Sequence, residues 1–133
     1  MSPYLFTVAA VIAVIGIMVV FKINIDKMKE NPEQFGKAQN NFFIGVALSE
    51  SIPIILIVFG LINAEPVPME ELYIPAAIVI MMMVFAAFFI FLQRNVDVAE
   101  DQKQQVNSFS LIALMLANAI PIIALVMMFI NVA

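Results

Sequence analysis

The stretch Gly45–Pro53 reads G-V-A-L-S-E-S-I-P and sits inside the apolar run Phe42–Ile62, where Glu50 is the only ionisable residue. If the run is helical, Glu50 lies about 12 Å beyond Phe42 at roughly 1.5 Å per residue. That is near the middle of a hydrocarbon core about 30 Å thick. A charged, unpaired carboxylate at that depth costs on the order of several kcal/mol, so an acid in such a run is by default a candidate functional residue. The neutral, protonated form is the cheaper state there. A group poised between the two forms can load and release a cation.

Composition places this stretch in a membrane protein. Of 133 residues, 64% are hydrophobic and 12% are charged, more apolar surface than a soluble domain of this size can hide. Cysteine and histidine are absent, which excludes thiol redox chemistry, disulfides and histidine-based metal or acid–base sites. The net charge of −4 argues against a nucleic-acid partner. With no Ser-His or Cys-His pair and no glycine-rich phosphate loop, the sequence offers no catalytic residues, metal site or cofactor motif.

Four runs have the roughly 20 residues that a transmembrane helix needs: Pro3–Phe21, Phe42–Ile62, Ile74–Leu92 and Phe109–Ile130. The first lacks the basic leader and small-residue cleavage site of a signal peptide and is read as a retained helix. The connections Lys22–Asn41, Asn63–Tyr73 and Gln93–Ser108 are short and polar, which predicts an all-α membrane protein of two tandem antiparallel hairpins. All six basic residues (Lys22, Lys27, Lys29, Lys37, Arg94, Lys103) fall in the first and third connections, whereas the middle one holds Glu65, Glu70 and Glu71. The positive-inside rule therefore puts the 22–41 and 93–108 loops in the cytoplasm, and both termini and the 64–72 loop outside. Pro66 and Pro68 suit a stiff turn between the hairpins.

The two hairpins read as copies. A shift of 68 residues superposes Pro53 on Pro121, and Ile44, Leu48, Ile52, Ile54, Ile55, Val58, Ile62 and Asn63 then meet identical residues. The first and third runs match less well, at Ala9/Ala77, Val11/Val79, Ile12/Ile80 and Phe21/Phe89. In this register S-E-S-I-P becomes A-N-A-I-P, so Glu50 falls on Asn118. The expected organisation is a first hairpin over 1–63 that carries Glu50, a connector over 64–72, and a second hairpin over 73–133 whose carboxylate is replaced by Asn118. Each proline removes the N–H that would pair four residues back, freeing the carbonyls of Ser49 and Ala117. The Ser49 carbonyl either serves Glu50 or an ion, or marks a kink absorbed by its surroundings.

With these residues in view, Asn31–Pro32, Phe42–Phe43–Ile44–Gly45 and Leu48–Ser49–Glu50–Ser51–Ile52–Pro53 resemble the c subunit of F-type ATP synthases. That family has a helical hairpin, a polar cytoplasmic loop with an Arg-Gln-Pro motif, and an ion-binding acid on the second helix. A doubled hairpin with one carboxylate is also similar to the proteolipid of V-type ATPases. The resemblance implies a homo-oligomeric ring among membrane lipids, with Glu50 binding the transported H⁺ or Na⁺ and Ser49, Ser51, Pro53, Asn118 and Pro121 supporting it. It implies a stator-like membrane subunit with a basic residue, and a cytoplasmic stalk on the loop residues Glu30, Asn31, Pro32, Arg94 and Asn95. The chain would then be the ion-translocating subunit of a rotary ATPase, not a catalyst by itself. H⁺ is favoured because Na⁺ wants several oxygens and the first run offers only Thr7, near the outer end.

Other readings stay open. Glu50 could be a structural carboxyl bonded to Asn118, and the serines could bond back to their own helix. The first run holds only Gly16 with the stripe Ala9–Ala13–Gly16, and the loops read Glu30–Asn31–Pro32 and Arg94–Asn95–Val96, which departs from the family pattern. These departures favour a c-like paralogue with a structural or assembly role. A small proton-coupled transporter is the third reading.

Overall fold

The computed structural model describes residues 2–63, 65–95 and 103–130. Its long elements are four helices: α1 (Ser2–Glu30), α2 (Phe35–Ile62), α3 (Tyr73–Asn95) and α4 (Lys103–Ile130). Single 3₁₀ turns at Pro32–Gln34 and Met69–Leu72 precede α2 and α3. All four helices are long and apolar enough to cross a membrane. Their Val- and Ile-rich runs would favour strands in water. In hydrocarbon each backbone N–H and C=O must be satisfied within its own segment, and only the helix does that for a single span. The chain is an all-α integral membrane protein.

The first connection is shorter than the expected span 22–41. α1 continues to Glu30 and α2 begins at Phe35, so only Asn31–Gln34 lies between them. The helical extension keeps an apolar stripe, with Phe21, Ile25 and Met28 all buried. The Lys22 ammonium pairs with Asp26 one turn on, at 3.2 Å. Lys27 and Lys29 occupy the last turn, where cations favour the helix dipole. The Asn31 N–H then donates to the Lys27 carbonyl at 3.0 Å and closes the helix. Of the expected 93–108 connection, residues 96–102 lie outside the described residues, as do the terminal residues and Asn131 of the repeat.

α1 is the hub. It packs on α2, α4 and α3, whereas α2 rests on α1 with light contact to α4, and α4 rests on both α1 and α3. The α1–α2 hairpin is antiparallel and closes on glycines. Gly16 faces Ser49, Gly45 faces Val20, and Gly60 faces Phe6. α1 and α3 run the same way. The Thr7 hydroxyl donates toward the Pro75 carbonyl at 3.2 Å and toward the Pro3 carbonyl at 3.1 Å. At the other end, Lys22 donates to Gln93 Oε1 at 2.9 Å and Lys29 to the Gln93 carbonyl at 2.6 Å. The Thr7–Pro75 separation of 68 residues is the offset of the sequence repeat.

Two apolar clusters fill the bundle. One lies toward the 31–34 connection and centres on Phe21, Phe42 and Phe109. Phe21 and Phe109 stack with centroids 5.5 Å apart, and Phe42 meets Phe109 at 4.9 Å, which ties α1, α2 and α4 together. The other lies toward the 65–72 connection, around Phe6, Ala9, Ala10, Ala13, Ile120 and Met128. Phe109→Ala removes both ring contacts, each worth about 0.5–1.5 kcal/mol beyond the area buried. It should lower the thermal unfolding midpoint in detergent, whereas Phe88→Ala, on an exposed side chain, should leave it unchanged.

Candidate intramembrane carboxylate site

Glu50 lies in the middle of α2, where the two apolar clusters part. On α2 the loop-side cluster ends at Val46 and the other begins at Ile57. On α4 they end at Ala117 and resume at Ile120, with Asn118 between. Glu50 and Asn118 are both half-buried. Glu50 Oε1 and Asn118 Oδ1 are buried and have no hydrogen-bond partner. The repeat register and the parallel course of α2 and α4, seen at Phe42 and Phe109, put the two residues at similar depth.

The rotation of α2 is set by Ser49. A Cβ added at Gly16 would lie 3.0 Å from Ser49 Cβ and 3.2 Å from Ser49 Oγ, so the missing side chain makes room for the serine against α1. Successive helical residues are about 100° apart, so Glu50 is turned off that contact to the flank of α2. Ser51 is exposed. Both hydroxyls bond back to the helix: Ser49 donates to the Val46 carbonyl at 3.2 Å and Ser51 to the Leu48 carbonyl at 2.7 Å. Their lone pairs remain able to accept or ligate, but their protons are spent locally.

Pro53 and Pro121 are buried inside unbroken helices. Without a proline N–H, the Ser49 and Ala117 carbonyls lose their i+4 donors one residue before Glu50 and Asn118. The oxygens that share this stretch of α2 are thus the Glu50 carboxyl, the two seryl hydroxyls and the Ser49 carbonyl. α1 adds no side-chain oxygen between Thr7 and Lys22. Thr7 itself is committed to the α1–α3 contact at the far end. Among the described residues, no group of three or more Asp, Glu, His or Cys is placed to hold a metal ion.

The loop residues gather at one end of the bundle. Glu30 and Asn31 are exposed at the end of α1, Pro32 opens the 3₁₀ turn, and Arg94 and Asn95 close α3. The Lys29–Gln93 bond joins these two helix ends. Arg94 stacks over the Phe91 ring at 4.9 Å. Lys27, Asn31, Gln34, Lys37 and Asn41 line a polar cavity of about 260 Å³ beside the connection.

Sequence reading overlooked the α2 glycines. Gly45 and Ser49 form a small-xxx-small pair on α2, the spacing that lets membrane helices approach closely. It also missed Asn24, which is buried and donates to the Val20 carbonyl at 2.8 Å. A Cβ at Gly45 would lie 2.7 Å from Val20 Cγ1, and a valine is stiff in a helix. Gly45→Ala should therefore destabilise the hairpin by about 1–3 kcal/mol. Gly36→Ala meets nothing within 4 Å and should stabilise by about 0.4–1 kcal/mol. Thermal melts of the two variants in one detergent test the contrast.

No protein-family model matches the chain. No solved structure matches it either. One curated relative does: the chain is 42% identical over 52 residues to ATP synthase subunit c of Alkalihalobacillus alcalophilus, covering 39% of this chain and 73% of that protein. A lone acid at mid-helix, a proline three residues on, a hairpin closed on small residues and this identity agree, and the chain belongs to the ATP synthase subunit c family.

Proposed function

We propose that this protein is a c-like proteolipid that moves H⁺ across the membrane through reversible protonation of Glu50 in an oligomeric ring. The observation that carries the reading is the Glu50 carboxyl, half-buried at mid-helix with Oε1 unpartnered. A structural carboxyl would be expected to satisfy that oxygen locally. In its neutral form the group passes through lipid at low cost; beside a basic residue of a stator-like subunit it gives up its proton. No basic residue of this chain lies at that depth, so the counter-charge belongs to a partner. H⁺ is preferred over Na⁺ because Na⁺ wants several oxygen ligands and α1 supplies no side-chain oxygen between Thr7 and Lys22, whereas H⁺ needs the one carboxylate.

Carbodiimides react with protonated, membrane-buried carboxyls. Labelling of the protein in mild detergent, read by mass spectrometry, should occur at Glu50 and fall as pH rises. Protection by added Na⁺ would transfer the assignment to Na⁺. Absence of labelling at every pH would favour the assembly role. Glu50→Gln in proteoliposomes should abolish proton movement; a wild-type protein that moves no protons, with assembly left intact by Glu50→Gln, would likewise favour a structural paralogue. That second reading draws on the bulky side chains Met81, Phe85 and Phe88, which line α3 where close ring packing would call for small ones.

The lysine-rich end is proposed to be cytoplasmic and the acidic 65–72 connection external. The chain has no cysteine, so single variants report sidedness cleanly. A membrane-impermeant maleimide added outside intact cells should label Glu70→Cys and spare Gly36→Cys, with the pattern reversed in inverted vesicles.

A further inference from the structure

The six basic residues of the chain gather at one end of the bundle, and four of them are engaged. Lys22 pairs with Asp26 and Gln93, Lys29 donates to the Gln93 carbonyl, and Arg94 covers the Phe91 ring. Lys103 also has a partner. Lys27 and Lys37 have none among the described residues. Both line the cavity of about 260 Å³ beside the 31–34 connection.

Helical spacing builds the walls of that cavity. Lys27 and Asn31 stand one turn apart, tied by the bond from the Asn31 N–H to the Lys27 carbonyl. Gln34, Lys37 and Asn41 are three and four residues apart, so they share one face where α2 begins. Gln34 holds the N-cap of α2, yet its side chain makes no capping bond, which leaves its amide to the cavity. Ala38 is 2% exposed and belongs to the loop-side cluster, so its methyl group closes the cavity against the core. Asp26, Glu30 and Glu33 each stand next in sequence to a lining residue, and none of them lines the cavity. Two ammonium groups and three amides thus share one space with no carboxylate to balance them. Asn41 immediately precedes the apolar run that starts at Phe42, so this space lies at the headgroup level and not among the acyl chains.

We propose that the cavity binds a phosphate group, carried by an anionic lipid headgroup or by a soluble phosphate. Lys27 and Lys37 bring the charge from opposite walls, and the amides of Asn31, Gln34 and Asn41 donate to the remaining oxygens. A water occupies about 30 Å³ in the liquid, so the space has room for one phosphate group and a few waters around it. The acids next in sequence hold the surrounding surface close to neutral, which confines the attraction to the cavity itself. The site does not depend on the ion reading: Asn41 and Glu50 are nine residues apart on α2, roughly 14 Å at 1.5 Å per residue.

The test uses the full-length protein in an uncharged detergent, with two probes. Inorganic phosphate is read by the shift it causes in the thermal unfolding midpoint. Dioleoyl phosphatidylglycerol, against the matching phosphatidylcholine, is read by native mass spectrometry. Selective retention of phosphatidylglycerol assigns the site to a lipid headgroup; a midpoint raised by phosphate without lipid retention assigns it to a soluble phosphate. With either probe, Lys27→Gln/Lys37→Gln should weaken binding by about tenfold or more. Lys22→Gln/Lys29→Gln removes the same charge outside the cavity and should leave binding close to that of the unmodified protein. Ala38→Leu fills the space with no change of charge and should also weaken binding. Silence of the unmodified protein toward both probes overturns the site. An equal loss from the two lysine pairs overturns it as well, because general surface charge would then suffice. The glutamine variants alter exposed side chains only, so this comparison stands even where Ala38→Leu fails to fold.

Discussion

The contact between Gly16 and Ser49 governs the geometry of this bundle. A glycine on α1 admits a serine side chain from α2 at the depth where the carboxyl sits, and Gly45 and Gly60 repeat the device one turn below and three turns above. Close approach fixes how α2 is rotated, and rotation decides what Glu50 can meet. In lipid no hydrophobic force drives helices together, so association relies on packing of this kind. The seryl hydroxyl that fills the notch also returns its proton to the Val46 carbonyl, so the notch brings no unpaired donor into the membrane.

The neighbourhood of Glu50 is polar but sparse. Pro53 strips one hydrogen bond from the helix and leaves the Ser49 carbonyl with a free acceptor. Asn118 reproduces the arrangement in α4 with an amide, ahead of Pro121 and the Ala117 carbonyl. An amide holds its hydrogens at every accessible pH, so the second position, one methylene shorter than Glu50, carries no titratable group. The two apolar clusters stop on either side of this layer. The break in the core is where the chain places the only ionisable group of the run Phe42–Ile62.

The sequence told the fold because the bilayer leaves few choices. Four apolar runs with polar joints admit four helices, and the runs Phe42–Ile62 and Ile74–Leu92 sit within one residue of the ends of α2 and α3 facing the 65–72 connection. The opposite ends were harder to place. Lys22–Glu30 looks like a loop by charge, yet Ile25 and Met28 extend the buried stripe of α1 and hold it helical beyond the apolar run. Glu50 stood out as a lone acid within an apolar run. The fate of the seryl hydroxyls, the role of Thr7 as a tie between α1 and α3, and the rotation set by Gly16 depend on contacts between helices. Periodicity along one helix carries no information about those.

One acid for every two hairpins would change what the proposed ring can do. In a ring where every hairpin carries a carboxylate, each step past the stator moves one ion. In the proposed ring each chain would span two steps and offer one titratable group, because an Asn118 step passes neutral at any pH. A full turn of that ring would move half as many ions as it has hairpins. Work per turn is the number of ions multiplied by the energy each releases, so the same load demands a larger ion-motive force.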